Sequence, residues 1–197
     1  MGADAPVRKY VLNLLKESFP SAGTTIRSDT NGELFRAWTG WSHVGLQEQW
    51  TIERQDLNAK GKMKAVTTSC NAFLGVLAGK IAKAGGKTLT KFQSFNLPVE
   101  RGWVWNPTEG KSPQPGDFYE LGTRGNYKHV GVILEIDTIL WTTVEGGQGG
   151  PSSGFDSIKR KGPQLMPTPL LGWIDIEEFY SGWAVNRIVS ITSAYRT

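Results

Sequence analysis

Two apolar runs on either side of a two-residue turn constrain this chain more than any other feature. Tyr127 to Ile136 contains HVGVILEI, Ile139 to Val144 reads ILWTTV, and Asp137-Thr138 lies between them. Short runs rich in Val, Ile and Thr that meet at a turn form an antiparallel hairpin. The turn accounts for Asp137 without any catalytic role. Pairing around it brings together the strand ends furthest from the turn. There His129 falls opposite Glu145 or Gly146, and cross-strand neighbours are about 5 Å apart at Cβ. The hairpin therefore carries an imidazole and a carboxylate to its open end.

A second stretch supplies a group for that pair to act on. Ala65 to Gly86 (AVTTSCNAFLGVLAGKIAKAGG) holds the only cysteine, Cys70. Phe73, Leu74, Leu77 and Ile81 form the apolar stripe of a helix. Thr67, Thr68 and Ser69 are candidate N-caps, and Gly85-Gly86 ends the helix. A thiol in the first helical turn faces free amides and the positive end of the helix dipole, which favour thiolate. A carboxylate on one imidazole nitrogen fixes the tautomer and leaves the other nitrogen for a thiol proton. If the helix start meets the hairpin's open end, Cys70, His129 and Glu145 form a nucleophile, base and orienter. The competing reading of a lone cysteine is a small buried hydrophobe.

The remaining elements place these two pieces in an α+β fold of one domain over residues 1–197. Helices occupy about 1–86 and an antiparallel, β-rich part about 87–197. Val7 to Phe19 has Val7, Tyr10, Val11, Leu14 and Leu15 at helical spacing and ends at Pro20 and Gly23. Trp38, Trp41 and Trp50 mark a second or broken helix between Leu34 and Ile52, followed by a polar loop from Asn58 to Lys64. Lys87 to Ser112 reads as irregular, with Trp103 and Trp105 on one face of a short strand. A turn at Pro113 to Gly116 leads to a strand over Asp117 to Leu121, then a loop over Gly122 to Asn126. Asp117 is expected to bond its own turn. Gly146 to Gly154 reads as a loop, Phe155 to Lys159 as a strand, and Asp175 to Tyr180 as a helix capped by Asp175. Ala184 to Thr192 closes the chain as a strand.

Composition removes several functional classes. Hydrophobic residues at 39% and charged residues at 20% suit a globular chain, and the eight Trp and twenty-four Gly suit a β-rich one. A single cysteine allows no internal disulfide. No apolar window is long enough to span a membrane, and Met1 to Pro6 does not read as a secretory signal. The net charge is +4 with pI near 9.2. Lys159-Arg160-Lys161 is the densest basic run and reads as solvated surface, not as a nucleic-acid site. A basic surface also suits an anionic polymer. His43 and His129 with one cysteine do not form a metal-ligand pattern, and GGQGG lacks the setting of a phosphate loop, so no cofactor or metal is expected. His43 is expected to pack or hydrogen-bond locally. Trp103, Trp105, Trp141 and Trp173 either pack in the core or line a groove.

The order and local text of residues 65 to 150 resemble the papain-like cell-wall hydrolases of the NlpC-type and CHAP groups. The matching pieces are TTSCNAF at a helix start, PQPGDFYEL after a turn, the strand KHVGVIL, and VEGG at the end of the next strand. The resemblance implies a papain-like fold in which N-terminal helices pack on a C-terminal antiparallel sheet. It implies Cys70 as nucleophile, His129 as general base and acid, and Glu145 as orienter, the acid being the CHAP-like choice. The asparagine that CHAP members carry shortly after the acid is absent, and Gly146, Gly147 and Gln148 stand there, with Gln148 the candidate for a fourth role. The oxyanion hole is expected to include the Cys70 amide, with Ser42, Gln47 and Gln49 as side-chain candidates. The implied activity is a cysteine amidase or endopeptidase acting on peptidoglycan stem peptides, without nucleic acid or membrane insertion. Such a domain suits a phage-type lysin or an antibacterial effector made in the cytoplasm and delivered to the periplasm or wall of a target cell, the effector being restrained by an immunity protein. The alternatives are a protease, deamidase or acyltransferase acting on a protein, or an inactive wall-binding module.

Overall fold

A computed structural model describes residues 5–60 and 67–181. Four longer helices lie in the first half: α1 (Pro6–Ser18), α2 (Gly32–Thr39), α3 (His43–Lys60) and α4 (Cys70–Ala84), with a short α5 (Ile176–Phe179) near the end. The strands are β1 (Thr25–Arg27), β2 (Trp103–Trp105), β3 (Phe118–Thr123), β4 (Asn126–Asp137), β5 (Leu140–Glu145), β6 (Ser157–Leu165) and β7 (Leu170–Ile174). They form one seven-stranded sheet in the order β1-β6-β5-β4-β3-β7-β2 with every neighbour antiparallel. The chain is therefore α+β, as its segment order implied. Among the described residues, no helix is long and apolar enough to cross a membrane.

Strand alternation gives the sheet two different faces. Phe118, Val130, Val132, Val144, Ile158 and Ile174 join Val7, Val11, Leu15, Phe73, Leu74, Leu77 and Ile81 in the larger core against the helices. Tyr119, Ile133, Trp141 and Trp173, with Val104 and Leu170, form a smaller cluster on the other face. Trp141 and Trp173 are thus core residues and line no groove. Trp103 and Trp105 meet edge to face at 5.3 Å between ring centroids, and Arg124 lies over Trp105.

The Pro-Gly-Asp turn is a staple. The Asp117 carboxylate accepts from its own turn at Gln114 N–H (2.7 Å), as expected, and also from Arg8 (2.7 Å) and Ile176 N–H (3.3 Å). Arg8 further bonds Pro115 O and Asp175, so one guanidinium ties α1 to the turn and to α5. Burial pushes the Asp117 carboxyl up to about 6, against the pull of Arg8 and the Gln114 amide. Asp175 caps α5 as expected, accepting from Glu177 and Glu178 N–H.

Several boundaries differ from expectation. The tryptophan-rich stretch is a helix broken at 40–42, and α3 runs to Lys60, past the expected loop start at Asn58. β3 continues to Thr123 and β4 begins at Asn126, which leaves Arg124-Gly125 as the turn. Asp137 stays in strand, paired with Leu140, so the hairpin turns at Thr138-Ile139. β6 extends to Leu165, and β7 occupies a stretch where no element was expected. β1 belongs to the helical half by sequence but enters the sheet beside β6. These strands are short or strongly polar, and pairing defines them where hydropathy does not. The strand expected over Ala184 to Thr192 lies outside the described residues.

Candidate active site

The hairpin register decides how the carboxylate reaches the imidazole. Val132 pairs with Val144 and Ile133 with Thr143. Two residues further on, Glu145 faces Gly131 and not His129, which corrects the direct pairing expected from the sequence. A register shift between Ile133 and Glu135 moves the far strand by one residue. His129 is then the diagonal neighbour on the same face, a separation that long side chains span. Its Nε2 lies 3.0 Å from Glu145 Oε2. Gly131 opens that diagonal. A Cβ there would stand 2.7 Å from the Tyr119 hydroxyl and 2.9 Å from Glu145 Cγ.

Glu145 is 2% exposed and heavily hydrogen-bonded. Oε1 accepts from Tyr119 (2.5 Å) and Thr143 (2.6 Å). Oε2 takes His129, Gln148 (3.2 Å) and Lys161 (3.2 Å). Burial alone would raise its pKa, but the hydrogen bonds and the charge of His129, with Thr143 and Tyr119, hold the carboxyl down at about 2. The Tyr119 phenol goes well above its ordinary value through burial and the neighbouring Glu145 charge, so it stays a donor. Gln148 therefore acts on the carboxylate, and its own backbone is held to Ser157 in both directions.

Cys70 is the first residue of α4 and is 6% exposed. The glycine-rich loop after β5 seats it. A Cβ on Gly146 would stand 2.7 Å from Ser69 O, and one on Gly147 would stand 2.9 Å from Thr68 Oγ1 and 3.3 Å from Cys70 Cβ. The chain entering α4 is anchored by α3, where the Trp50 indole donates to Thr67 O (2.7 Å) and Glu53 accepts from the amide and hydroxyl of Thr67. Thr68 Oγ1 is 3.4 Å from the sulfur. Burial pushes the Cys70 thiol up, but hydrogen bonds from His129, Thr68 and the Asn71 amide outweigh it, so the net shift is downward. Burial also opposes the His129 charge, yet Cys70 and Glu145 raise the imidazole to about 9. With Glu145 on Nε2, Nδ1 is left for the sulfur. Both shifts favour charge separation between the thiol and the imidazole, with a carboxylate behind the imidazole.

No family model matches the chain, and comparison with curated proteins and with solved structures yields no match either. The chemistry of the site therefore has to come from its own atoms.

The structure brings Cys70, His129 and Glu145 together, with Gln148 beside them. The side chains named for the oxyanion hole are each engaged with other partners. The Ser42 hydroxyl accepts from Gly45 N–H, Gln47 donates to Gly154 O, and Gln49 donates to Glu53. Ser69 occupies the N-cap position, but its side chain makes no cap bond to the helix. His43 hydrogen-bonds Ser28 at 3.0 Å. Tyr119 and Thr143 escaped the sequence reading, and Thr68 was read only as a candidate N-cap. Lys161 belongs to the basic run read as solvent-facing. Of that run Lys161 reaches Glu145, while Arg160 donates to Phe19 O and Pro20 O. Extending β6 beyond Lys159 would have revealed it, because Lys161 then faces Thr143 across the ladder.

Proposed function

We propose that the protein is a cysteine hydrolase that cleaves an amide bond through an acyl-enzyme, with peptidoglycan stem peptides as substrate. The observation that carries the proposal is the thiol at a helix start beside an imidazole whose far nitrogen is held by a buried, five-donor carboxylate. In this reaction the Cys70 thiolate attacks the carbonyl carbon and the oxyanion forms beside the Cys70 amide. His129 passes its Nδ1 proton to the departing amine. It then takes a proton from the water that attacks the thioester, which releases the acid and restores the thiolate–imidazolium pair. Glu145 keeps Nε2–H engaged throughout, and Tyr119 and Thr143 keep Glu145 from turning.

The choice of substrate rests on the resemblance to papain-like wall hydrolases and on the basic charge, which favours an anionic polymer. Delivery into a target cell as an antibacterial effector, with an inhibitor in the producer, belongs to the same proposal. Purified protein and Cys70→Ala, each incubated with muropeptides, test it. Stem-peptide cleavage by the wild type alone is expected. Cleavage by both proteins removes Cys70 from the mechanism, and binding without turnover leaves a wall-binding module. Turnover of a protein substrate only would replace peptidoglycan as the target.

The protonation states give a pH profile. Imidazolium is required to protonate the leaving group, so kcat/KM should fall on the alkaline side as pH rises through about 9, the raised His129 value. The acid limb reports thiolate formation and should lie below the ordinary cysteine range, because the thiol is lowered. An alkaline limb near the unperturbed histidine value of 6.5 would contradict the Glu145 contact.

A further inference from the structure

We infer that Asp156 is a positioning residue for the nucleophile, gripping Ser69 so that the first-turn amides of α4 stay open to the sulfur. The inference rests on Cys70 being the nucleophile. Asp156 is fully buried and takes no part in the reaction described above. One carboxylate oxygen accepts from Ser69 N–H at 2.7 Å, and the other from Ser157 N–H at 2.7 Å. Its main chain is held just as firmly, with N–H donating to Ser28 Oγ (3.1 Å) and the carbonyl accepting from Ser28 N–H (2.8 Å). Since Ser28 Oγ accepts there, its own proton is free for His43 Nδ1.

The consequence appears at the helix start. A serine at the N-cap ordinarily turns its oxygen inward to accept from the amide of the second or third helical residue, here Asn71 or Ala72. Ser69 does not; its hydroxyl instead accepts from Gly147 N–H at 2.9 Å. The Asn71 amide is therefore not taken by Ser69, and it is among the groups that lower the thiol. The Cys70 amide has no acceptor among the described residues and is free for an oxyanion. The uncapped helix start is the cost of this arrangement. Released from Asp156, Ser69 could swing inward and compete with the sulfur for the Asn71 amide.

The test reads the thiol directly, through the pH dependence of Cys70 alkylation by iodoacetamide, in Asp156→Ala and Asp156→Asn, with melting curves to confirm folding. Asparagine keeps an acceptor for Ser69 N–H and alanine does not. Removing the carboxylate charge near the sulfur would lower the thiol pKa in both variants, so only loss of the grip raises it. Asp156→Ala is expected to raise it by about half a unit to one unit, the worth of one hydrogen bond to the charged form, which slows alkylation near pH 6 roughly three- to tenfold. Asp156→Asn is expected to match the wild type or react faster. If the alanine variant does not fold, Asp156→Ser, with a side chain too short for Ser69 N–H, should show the same rise. An unchanged profile in Asp156→Ala or Asp156→Ser, or an equal rise in the asparagine variant, overturns the inference. A wild-type thiol that titrates like an ordinary cysteine would instead sink the hydrolase reading itself.

Discussion

Glu145→Ala should lose catalysis by about a hundredfold or more and destabilise the fold by about 3–5 kcal/mol. The first loss follows from His129, whose Nε2–H would have no acceptor and whose imidazolium would lose its nearest countercharge. The second follows from the other donors. Tyr119 is fully buried, and Thr143 is too, so neither can turn to water when Glu145 is gone. Lys161 and His129 are partly exposed and recover some solvation, which places the cost at the lower end of the range. The pH dependence should change with it. A carboxyl held at about 2 against an ordinary 4.5 adds stability that is complete above pH 4.5 and is lost as pH falls towards 2. His129 works in the opposite sense. Raised from 6.5 to about 9, it adds stability that is complete below pH 6.5 and is lost as pH rises through 9. Urea unfolding of the wild type should therefore show a plateau near pH 5–6 that falls away on both sides. In Glu145→Ala the acid-side fall should flatten. A variant as stable as the wild type at pH 6 would mean that the buried network contributes nothing.

Gly131→Ala should be nearly as damaging, although it changes one methyl group at an ordinary strand conformation. The new Cβ would stand 2.7 Å from the Tyr119 hydroxyl oxygen, 2.8 Å from its Cζ and 2.9 Å from Glu145 Cγ. None of these is the loose end of a flexible side chain. The Tyr119 ring is buried and meets Trp141 edge to face at 6.0 Å, and Glu145 is held from both oxygens. Either the ring or the carboxylate has to move, at about 1–3 kcal/mol for an overpacked site. Moving Glu145 by even a fraction of an ångström lengthens its bond to His129, so activity should fall tenfold or more in the folded variant. Adding Tyr119→Phe should recover part of the lost stability by removing the crowded oxygen, but not the activity, because Glu145 also loses a donor. Thermal melts and turnover of the wild type and both variants check this. Wild-type stability in Gly131→Ala would show that the three groups are not that close.

These two positions also mark the boundary between local sequence and fold. Periodicity located α1 and α4, the β4–β5 hairpin and the capped α5, because an apolar stripe at helical spacing or a pair of apolar runs is a local property. It placed Cys70 in a first helical turn and put His129 and Glu145 at one end of a hairpin. Strands defined by their partners did not show. β1 and β7 are three and five residues long, and half of β6 is polar. Ser69 looked like an ordinary cap, since nothing nearby in sequence reveals a carboxylate 87 residues away. Lys161 looked like solvated surface until its ladder partner Thr143 set the face it points to. The sequence by itself determined which groups could react and which elements carry them. Only the tertiary structure decided that Glu145 faces Gly131, reaches His129 along the diagonal, and is gripped by Tyr119, Thr143, Gln148 and Lys161. Register and long-range hydrogen bonds depend on the bulk and bonding of groups brought in from elsewhere in the chain, and local periodicity carries no information about those.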